Sequence, residues 1–499
     1  MSAISGFDLS GAFTIVGVIL LGSLSSIFLY FIATAIYNVY FHPLSSFPGP
    51  KFWAASSIPF SLSHMRGTFA FDIKNMHDKY GEVFRMGPNQ VSFINGDAWK
   101  DVYAYRSDRP HFTKDKTNYF TPLNGVESIH SAKDDAVHSR HRRLLAHAFS
   151  EKALREQESL LKTYMDLLVI QLKKQSGPVD MVRWLNYTTF DLIGDLTFGE
   201  PFGCLHDSEY HPWVAIVFQS MRASAFVVAG RQYPALASML VKLMPKSLSQ
   251  KIQDHWDLSV NRLNRRLATK TDRPDFMTYL QRQTGEKGLS PEEMHSNAPL
   301  LMIAGSETTG TALSACLYYL TSNPTVFQKL RKEFDEAIKS EEDITITNTS
   351  ELSYMTNVLN ETMRIYNPVP GDLPREAPKE GITVAGYWLP PYTRASLGIY
   401  AATHSERNFR DPYEFVPERW DDNNSTYAND QKSAFQPFST GPRNCIGKNL
   451  AWAEMRLILS KLLFNFDIEL LPESRNWSDQ KMYVLWEKHP LMLNLKPRH

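Results

Sequence analysis

The sequence contains little cysteine: Cys204, Cys316 and Cys445 are the only three in 499 residues, and each is more than 100 residues from the next. This scattered, odd-numbered set excludes a disulfide framework, and without a CxxC pair it argues against a structural zinc site. The sequence also lacks net charge, because 53 Lys and Arg balance 53 Asp and Glu. Since nucleic-acid-binding domains are usually basic, no nucleic-acid partner is expected.

Charged residues are entirely missing between residues 9 and 50. Residues 11–37 are mostly apolar, and a helix of this length would extend ~40 Å, enough to cross the ~30 Å hydrocarbon layer of a membrane. A cleaved signal peptide is the alternative, but it requires a basic region that residues 1–10 do not contain. The stretch therefore predicts a single transmembrane helix. Lys51 and Arg66 follow it, so the positive-inside rule places the rest of the chain in the cytosol.

Proline and glycine are concentrated just after this helix, in residues 42–50. Such a segment cannot continue a helix and predicts a hinge. We therefore predict a membrane anchor with the start of the hinge at 1–40 and one globular domain at 41–499. The domain reads as mainly helical, with short strands predicted at Val83–Met86, Gln90–Ile94 and Ile382–Trp388.

One cysteine has an unusual setting, in the segment Phe-Ser-Thr-Gly-Pro-Arg-Asn-Cys-Ile-Gly at 438–447. An amphipathic helix is predicted directly after Cys445, and a thiolate at a helix N-terminus is stabilised by the helix dipole and by free backbone N–H groups. The neighbouring glycines let the backbone approach the sulfur closely. Arg443 can pair with an anionic ligand. A lone cysteine is usually buried and inert, but these neighbours favour a functional role.

The segment resembles the haem-binding signature of the cytochrome P-450 family, Phe-x-x-Gly-x-Arg-x-Cys-x-Gly. The five fixed positions of that signature are occupied here by Phe438, Gly441, Arg443, Cys445 and Gly447. The resemblance implies that Cys445 is the axial thiolate ligand of a haem iron, and that the other four residues help to bind the cofactor. It extends over nearly the whole chain from residue 42, and residues 40–50 are most similar to fungal microsomal members.

An acidic and a basic residue, Glu361 and Arg364, are three residues apart on a predicted helix that ends before Pro368. This spacing allows an ion pair, which at a surface would contribute less than about 1 kcal/mol. The segment 417–420, Pro-Glu-Arg-Trp, is similar to the family's Pro-Glu-Arg-Phe. The resemblance implies a buried structural network of Glu361, Arg364 and Arg419 that supports the loop before the haem cysteine.

A long helix is predicted to begin at Ser290, where Ser-Pro-Glu-Glu forms a capping box with proline at the first helical position. It continues to residues 323–324, about 32 residues or ~48 Å. Its middle, Ala-Gly-Ser-Glu-Thr-Thr at 304–309, contains weak helix formers, and a threonine hydroxyl there can bond to the carbonyl four residues earlier. The segment resembles the family's Ala/Gly-Gly-x-Asp/Glu-Thr-Thr motif. That resemblance implies that Glu307 and Thr308 are catalytic and deliver protons for oxygen activation.

A basic run, His-Ser-Arg-His-Arg-Arg, occupies residues 138–143. Alone it would predict a solvated helix face. The family has Trp-x-x-x-Arg here, and both residues contact a haem propionate; Arg142 keeps the arginine, whereas His138 replaces the tryptophan. Arg375 follows a proline-containing turn and is similarly placed to another propionate-binding arginine. The resemblance therefore implies that Arg142, His138 and Arg375 bind the cofactor.

The resemblance as a whole implies a mainly α fold with small β-sheets (α+β), namely a cytochrome P-450 fold preceded by a single transmembrane helix, with residues 41–499 as the haem-thiolate catalytic domain. The expected activity is that of a monooxygenase, which inserts one oxygen atom from O2 into a hydrophobic small molecule. The implied partners are NADPH–cytochrome P-450 reductase, as the route for NADPH electrons, and cytochrome b5. The implied location is the endoplasmic reticulum membrane, and fungal secondary metabolism is the expected context.

Three other functions compete with this interpretation. A haem-thiolate isomerase or dehydratase would act without a reductase, but such members tend to lose the acid or the threonine, and this chain keeps both Glu307 and Thr308. A haem protein for electron transfer or gas sensing needs no such pair. A membrane-anchored adaptor without enzymatic activity would leave the cysteine signature unexplained.

Family substrate contacts would fall around residues 111–129, 218–226, 301–304, 369–373 and 482–485. These segments contain apolar side chains: Phe112, Phe120, Phe218, Phe226, Met302, Val369 and Val484. Such a lining predicts a hydrophobic ligand but does not distinguish a terpenoid from a polyketide or a fatty acid.

Overall fold

The computed structural model describes residues 9–106, 108–119, 121–242, 246–282 and 288–498. Most of these residues are helical. The helices are α1 Leu9–Tyr40, α2 Lys51–Ala55, α3 Ile58–Arg66, α4 Phe69–Tyr80, α5 Gly96–Tyr103, α6 Asp135–Ala146, α7 Glu151–Lys173, α8 Met181–Phe198, α9 Cys204–Asp207, α10 Pro212–Arg231, α11 Pro234–Lys242, α12 Lys246–Ala268, α13 Phe276–Gln281, α14 Pro291–Ser322, α15 Pro324–Ala337, α16 Ile346–Ser350, α17 Ser353–Ile365, α18 Ile399–Thr403 and α19 Lys448–Asn465.

The strands are short and form small sheets. They are β1 Val83–Gly87, β2 Gln90–Phe93, β3 Thr113–Lys114, β4 Val179–Asp180, β5 Arg375–Glu376, β6 Ile382–Val384, β7 Tyr387–Leu389, β8 Arg394–Leu397, β9 Phe466–Leu470 and β10 Met492–Pro497. One sheet has the order β1-β2-β8-β5-β3, a second has the order β4-β10-β9, and β6 pairs with β7. The described residues are therefore mainly α with small β-sheets, as the sequence predicts.

The strands predicted at Val83–Met86 and Gln90–Ile94 correspond to β1 and β2, which pair antiparallel. The single strand predicted at Ile382–Trp388 is wrong, because β6 and β7 form a hairpin there. Its two turn residues, Ala385 and Gly386, have φ angles of 47° and 84°. Positive φ at both central positions is typical of the tight turns that join hairpin strands. The apolar residues on both sides of the turn therefore looked like one continuous strand in the sequence, although the chain reverses between them.

Helix α1 is apolar, and most of its described side chains are exposed. Among the described residues, one helical segment, Gly17–Tyr40, is long and apolar enough to cross a membrane. The last turn of α1 is bonded to the rest of the protein: the buried guanidinium of Arg85 donates to the carbonyl of Asn38 at 2.7 Å, and the Asn38 amide donates to the carbonyl of Ala55 at 3.0 Å. The end of α1 is therefore held in a defined position.

Helix α14 begins at the predicted capping box and runs for 32 residues through the main hydrophobic core. It packs closely on α8, a helix whose residues are buried on nearly all sides. Two glycines of α14 make this approach possible. A Cβ atom on Gly305 would lie 2.6 Å from Ile193, and one on Gly310 would lie 2.6 Å from the amide oxygen of Asn186. Helix α14 thus forms one wall of the interior.

Candidate active site

An interior cavity of about 330 Å³ lies between the middle of α14, residues 436–447 and the start of α19. Most of its lining is apolar, which suits a hydrophobic ligand. Cys445 and Thr308, from distant parts of the sequence, both line it. The cavity is also lined by four other residues that the sequence analysis singled out: Phe438, Arg443, Gly447 and Arg375. The cavity therefore brings together a thiol, a hydroxyl and several cations.

The backbone around Cys445 is tightly constrained. The Cys445 N–H donates to the carbonyl of Phe438 at 2.9 Å, which closes the loop before α19. Gly441 has a φ angle of +77°, and a Cβ atom there would lie 2.0 Å from the carbonyl oxygen of Tyr103. A Cβ atom on Gly447 would lie 4.0 Å from the Cys445 sulfur. Gly441 is thus required by both conformation and space, whereas Gly447 keeps the surroundings of the sulfur open.

The protonation of the Cys445 thiol is set by opposing influences. Burial raises its pKa, whereas the backbone N–H of Gly447 and the cations Arg142 and Lys448 lower it. Since hydrogen bonds and positive charge favour the thiolate, the protein provides several groups that support ligation of a metal ion by this sulfur.

Buried cations lie beside the cavity. Lys114 on β3 and Arg375 on β5 are directly opposite each other in an antiparallel pair, and both are only 5% exposed. Like charges in this arrangement repel each other. Among the described residues, no carboxylate lies within ion-pair distance of either one; Arg375 donates instead to the Tyr119 hydroxyl at 2.7 Å. Burial and the charges of Arg375 and Arg443 lower the pKa of Lys114 to about 6. Lys114 is therefore largely neutral at physiological pH, and an anionic ligand beside it would raise that pKa and restore its charge.

The other predicted cofactor-binding residues lie near this cluster but do not line the cavity. Arg142 on α6 donates two hydrogen bonds to Asn444, one to its carbonyl and one to its side-chain oxygen at 2.6 Å. His138 is buried, and burial together with Arg443 and Lys114 lowers its pKa to about 3. His138 is therefore neutral at physiological pH and would interact as a hydrogen-bonding group. Arg443 itself is paired with Asp135 at 2.7 Å.

The two predicted catalytic residues of α14 point in different directions. The Thr308 side chain lines the cavity, and its hydroxyl donates to the carbonyl of Ala304 at 2.6 Å, the i−4 bond expected from the sequence. The Glu307 side chain is 1% exposed, does not line the cavity and forms an ion pair with Lys488. Burial raises the pKa of Glu307, and Lys488 opposes that shift. Adjacent helical residues are rotated by about 100°, which explains the divergence.

A second buried carboxyl, Glu454 on α19, was not predicted from the sequence. It lines the cavity and is hydrogen-bonded to Thr309, and burial raises its pKa to about 8. Lys114, Glu454 and Lys488 carried no sequence signal, because the partners that make them notable, Arg375, Thr309 and Glu307, are far from them along the chain.

Glu361 is the centre of a fully buried network. Its carboxylate accepts hydrogen bonds from Arg364 and Arg419, each with a shortest distance of 2.9 Å. The indole of Trp420 also donates to it, at 3.0 Å, so the tryptophan in place of the family's phenylalanine contributes a hydrogen bond. Arg419 pairs in addition with Asp430, a member that the sequence did not indicate. Because Arg364 also bonds to the carbonyls of three residues at 403–414, this network fixes the chain segment that precedes the cysteine loop.

The predicted substrate contacts are distributed unevenly. Leu301, Ala304, Val369 and Leu373 line the cavity. Phe112 and Met302 are buried in the core instead, and Phe226 and Val484 are exposed. Phe120 and the side chain of Phe218 lie outside the described residues.

The composition of this cavity fits a haem. Its apolar walls suit the macrocycle, and the Cys445 thiol is placed where it would supply a thiolate ligand to the iron. The buried Arg375, with Lys114 once a neighbouring anion restores its charge, would complement two propionate carboxylates. A mainly helical fold with these groups around one cavity is the arrangement of a haem-thiolate protein.

Comparison with known proteins agrees with this class. The family model described as Cytochrome P-450 matches residues 48–495. The chain is 43% identical to the cytochrome P-450 monooxygenase astA of Talaromyces wortmannii, over 96% of this chain and 98% of the relative. It is 42% identical to the cytochrome P-450 monooxygenase efuB of Hormonema carpetanum, over 95% and 96%. It is also 42% identical to the trichothecene C-4 hydroxylase of Trichoderma arundinaceum, over 93% and 94%.

The chain therefore belongs to the cytochrome P-450 family. Its fold is the cytochrome P-450 fold with an apolar N-terminal helix, its cofactor is haem held by a cysteine thiolate, and it is a monooxygenase. Enzymes of this class receive electrons from a redox partner and act on hydrophobic substrates. These conclusions confirm the family, fold, cofactor and enzyme class predicted from the sequence.

Proposed function

We propose that the protein hydroxylates, or otherwise inserts one oxygen atom into, a hydrophobic small molecule of fungal secondary metabolism, with electrons from NADPH through NADPH–cytochrome P-450 reductase. The observation that carries this proposal is the shared cavity of Cys445 and Thr308, whose remaining walls are mostly apolar. The relatives that match over nearly their full lengths are fungal monooxygenases, and one is named for the hydroxylation of a trichothecene. These relatives support the context of secondary metabolism.

The residues proposed to hold the haem are Cys445 as axial ligand, Arg375 and Arg443 around the propionates, and Arg142 and His138 as supporting groups. Lys114 is proposed to bind the haem together with these residues, because it lies opposite Arg375 in the β3–β5 pair. When bound, the haem supplies the binding and reductive cleavage of dioxygen, which the thiolate promotes by electron donation. Gly441, Gly447 and Phe438 shape the loop that carries the cysteine.

Thr308 is proposed to direct proton delivery in the cavity. A threonine hydroxyl has one donor and two acceptor positions, so while it donates to the Ala304 carbonyl it can accept a hydrogen bond from water. Glu307, the preceding residue, is proposed to supply the protons from the protein interior. Transfer of two protons and two electrons releases one oxygen atom as water, whereas poor proton delivery releases hydrogen peroxide.

We expect Thr308→Ala to bind haem normally and to consume NADPH while forming much less product. Product per NADPH should fall by up to about 100-fold, the lower end of what positioned proton transfer contributes. Hydrogen peroxide should rise correspondingly, because electrons continue to arrive. The measurement is product and peroxide formed per NADPH in the presence of reductase.

Thr321→Ala is the matched control, since the Thr321 hydroxyl makes the same i−4 bond on α14, to the Leu317 carbonyl at 2.6 Å, but does not line the cavity. That variant should keep wild-type coupling. Unchanged coupling in Thr308→Ala would contradict the proposed role of the hydroxyl and would favour an isomerase-type reaction that needs no reductase.

Electron entry is proposed to occur on the face that carries the Cys445 loop, with NADPH–cytochrome P-450 reductase as donor and cytochrome b5 as an additional donor. Arg143 and Lys448 are exposed near this loop, and neither is in an ion pair within the described part of the chain. Exposed positive charge of this kind attracts an acidic partner and accelerates its association.

We further propose that the protein is a single-pass protein of the endoplasmic reticulum, with residues 1–40 as anchor and start of the hinge and residues 41–499 as cytosolic catalytic domain. The apolar helix Gly17–Tyr40 and the basic residues that follow it support this arrangement.

Deletion of residues 1–37 should release the protein from membranes and leave haem binding intact. The deletion keeps Asn38, whose contacts with Arg85 and Ala55 close the end of α1 onto the body of the protein. Fractionation of cell membranes, followed by a haem absorption spectrum of the supernatant, tests this expectation. A truncated protein found entirely in the membrane pellet would show that other surfaces are sufficient for membrane association.

A further inference from the structure

Aromatic side chains lie directly behind one wall of the cavity. Asn367 and Ile399 both line the cavity. The indole of Trp486 donates to the carbonyl of Asn367 at 2.7 Å, and Tyr400 is the residue after Ile399 on α18. The ring centres of Trp486 and Tyr400 are 6.3 Å apart, a usual distance for two aromatic rings in contact. Two touching rings are therefore next to the place that holds the haem.

Further rings extend this pair to the protein surface. The imidazole of His404 stacks on the ring of Tyr400, with 3.8 Å between the ring centres and 19° between the planes. The ring of Tyr413 follows, with its centre 5.5 Å from that of His404. Trp486 is 2% exposed, whereas Tyr413 is 55% exposed. These rings, here called the aromatic row, connect the cavity wall with solvent: Trp486, Tyr400, His404 and Tyr413.

A branch of the aromatic row ends inside the protein. Tyr366 stacks on Trp486 with 4.4 Å between the ring centres, and Trp477 packs against Tyr366 at 5.3 Å. Tyr366 and Trp477 are both 2% exposed, so a dissolved molecule cannot touch either ring. Tyr413 is therefore the end of the row that a dissolved molecule can reach.

The composition of the aromatic row suits electron transfer. Indole and phenol rings lose one electron more readily than other uncharged side chains, and electrons move fastest between rings that touch. A monooxygenase that releases hydrogen peroxide exposes its own cavity to an oxidant, and Met363 and Met455 in the cavity wall are side chains that oxidants convert to sulfoxides. Electrons supplied from the surface would protect this wall.

We propose that the aromatic row carries electrons from a small dissolved thiol, such as glutathione, to the oxidised haem. The protein then reduces hydrogen peroxide in a second activity that needs neither the monooxygenase substrate nor a reductase. Trp486 gives electrons to the haem one at a time, and each is replaced along the row from Tyr413. Tyr413 loses its phenolic proton to solvent and regains a hydrogen atom from the thiol.

Two electrons and two protons are exchanged for each peroxide molecule. Hydrogen peroxide takes them up in the cavity, its O–O bond breaks, and two water molecules form. The two electrons leave Tyr413 one after the other, and each departure releases one proton to solvent. Two thiols each return one hydrogen atom to Tyr413, and the two sulfur radicals join in a disulfide. The thiol is therefore oxidised and the peroxide is reduced, with no net change in the protein.

The first test locates the radical in the full-length, haem-loaded ferric protein. Hydrogen peroxide is added without reductase or thiol in the presence of the spin trap tert-nitrosobutane, and mass spectrometry of the peptides identifies the trapped residues. Tyr413 should carry several-fold more adduct than Tyr392, a matched control that is 56% exposed and lies outside the aromatic row. Equal amounts of adduct on the two tyrosines would overturn the proposal.

The second test interrupts the aromatic row beside the cavity. Trp486→Phe keeps a ring in the same place but removes the readily oxidised indole, so the adduct on Tyr413 should fall several-fold. Trp184→Phe is the control, because Trp184 is a buried tryptophan of α8 outside the row. That variant should keep the wild-type amount of adduct on Tyr413. An unchanged amount in Trp486→Phe would overturn the row as the path of the electrons.

The third test changes only exposed residues, so it decides the question even if Trp486→Phe does not fold. Glutathione should slow the loss of the haem Soret band in peroxide several-fold in the wild-type protein and in Tyr392→Phe, but not in Tyr413→Phe. Direct reaction of glutathione with peroxide is the same for every variant and cancels in this comparison. Equal protection of Tyr413→Phe and Tyr392→Phe would overturn the entry of electrons at Tyr413.

Discussion

Replacement of Cys445 by serine is expected to abolish oxygen insertion. Serine is nearly the same size, but its hydroxyl remains protonated at neutral pH and is a weak ligand that cannot donate electrons as a thiolate does. The protein should still fold, because Cys445 contributes a backbone hydrogen bond to Phe438 that serine preserves. Product formation with reductase and NADPH, normalised to haem content, measures the effect.

Cys316→Ser provides the comparison for Cys445→Ser. Cys316 is buried in α14 and does not line the cavity, so its replacement should leave the activity per haem unchanged even if stability falls. Full turnover by a haem-loaded Cys445→Ser variant would contradict the assignment of Cys445 as axial ligand.

The second large effect is expected for Glu361→Ala. Removal of this carboxylate leaves the guanidinium of Arg364 buried without a counter-ion, and it removes one of the two carboxylates that pair with Arg419. Breaking a buried ion pair by removal of one partner costs about 3–5 kcal/mol. We therefore expect haem-poor protein with a clearly lower melting temperature. Haem content and thermal unfolding of the purified protein measure both consequences.

Glu336→Ala is the control for the loss of a glutamate from an ion pair. Glu336 pairs with Lys332 at 3.9 Å on the exposed face of α15, where both side chains are more than 60% exposed. Such a pair contributes less than about 1 kcal/mol, so this variant should unfold at nearly the wild-type temperature. If Glu361→Ala were equally harmless, the buried network would not be needed for stability or haem binding.

The parts of the site that depend on residues close together in the sequence could be predicted. The capping box at Ser290 fixed the start of α14, and the spacing of Glu361 and Arg364 matched one helical turn. The glycines before and after Cys445 indicated a backbone that closely surrounds the sulfur, and Gly441 is indeed in contact with the chain at Tyr103. These features depend on neighbours within a few residues, which a sequence pattern records directly.

Contacts between distant segments could not be predicted in the same way. Nothing near Lys114 indicates that β3 pairs with β5 and places that lysine opposite Arg375. Likewise, Lys488 is 181 residues from Glu307, and only the packing of the C-terminal segment on α14 brings the two together. The hairpin of β6 and β7 was missed for a different reason, since Ala385 is a residue that seldom adopts a positive φ angle.

The central claim is that Cys445 holds a haem as its thiolate ligand in the cavity beside Thr308. The most direct measurement is the difference spectrum of the reduced protein with and without carbon monoxide, recorded for the full-length wild-type protein and for Cys445→Ser. We expect the wild-type protein to show the strongly red-shifted Soret band of a thiolate-ligated haem and Cys445→Ser to lose it. A haem-loaded wild-type protein without that band, or a Cys445→Ser variant that retains it, would contradict the claim.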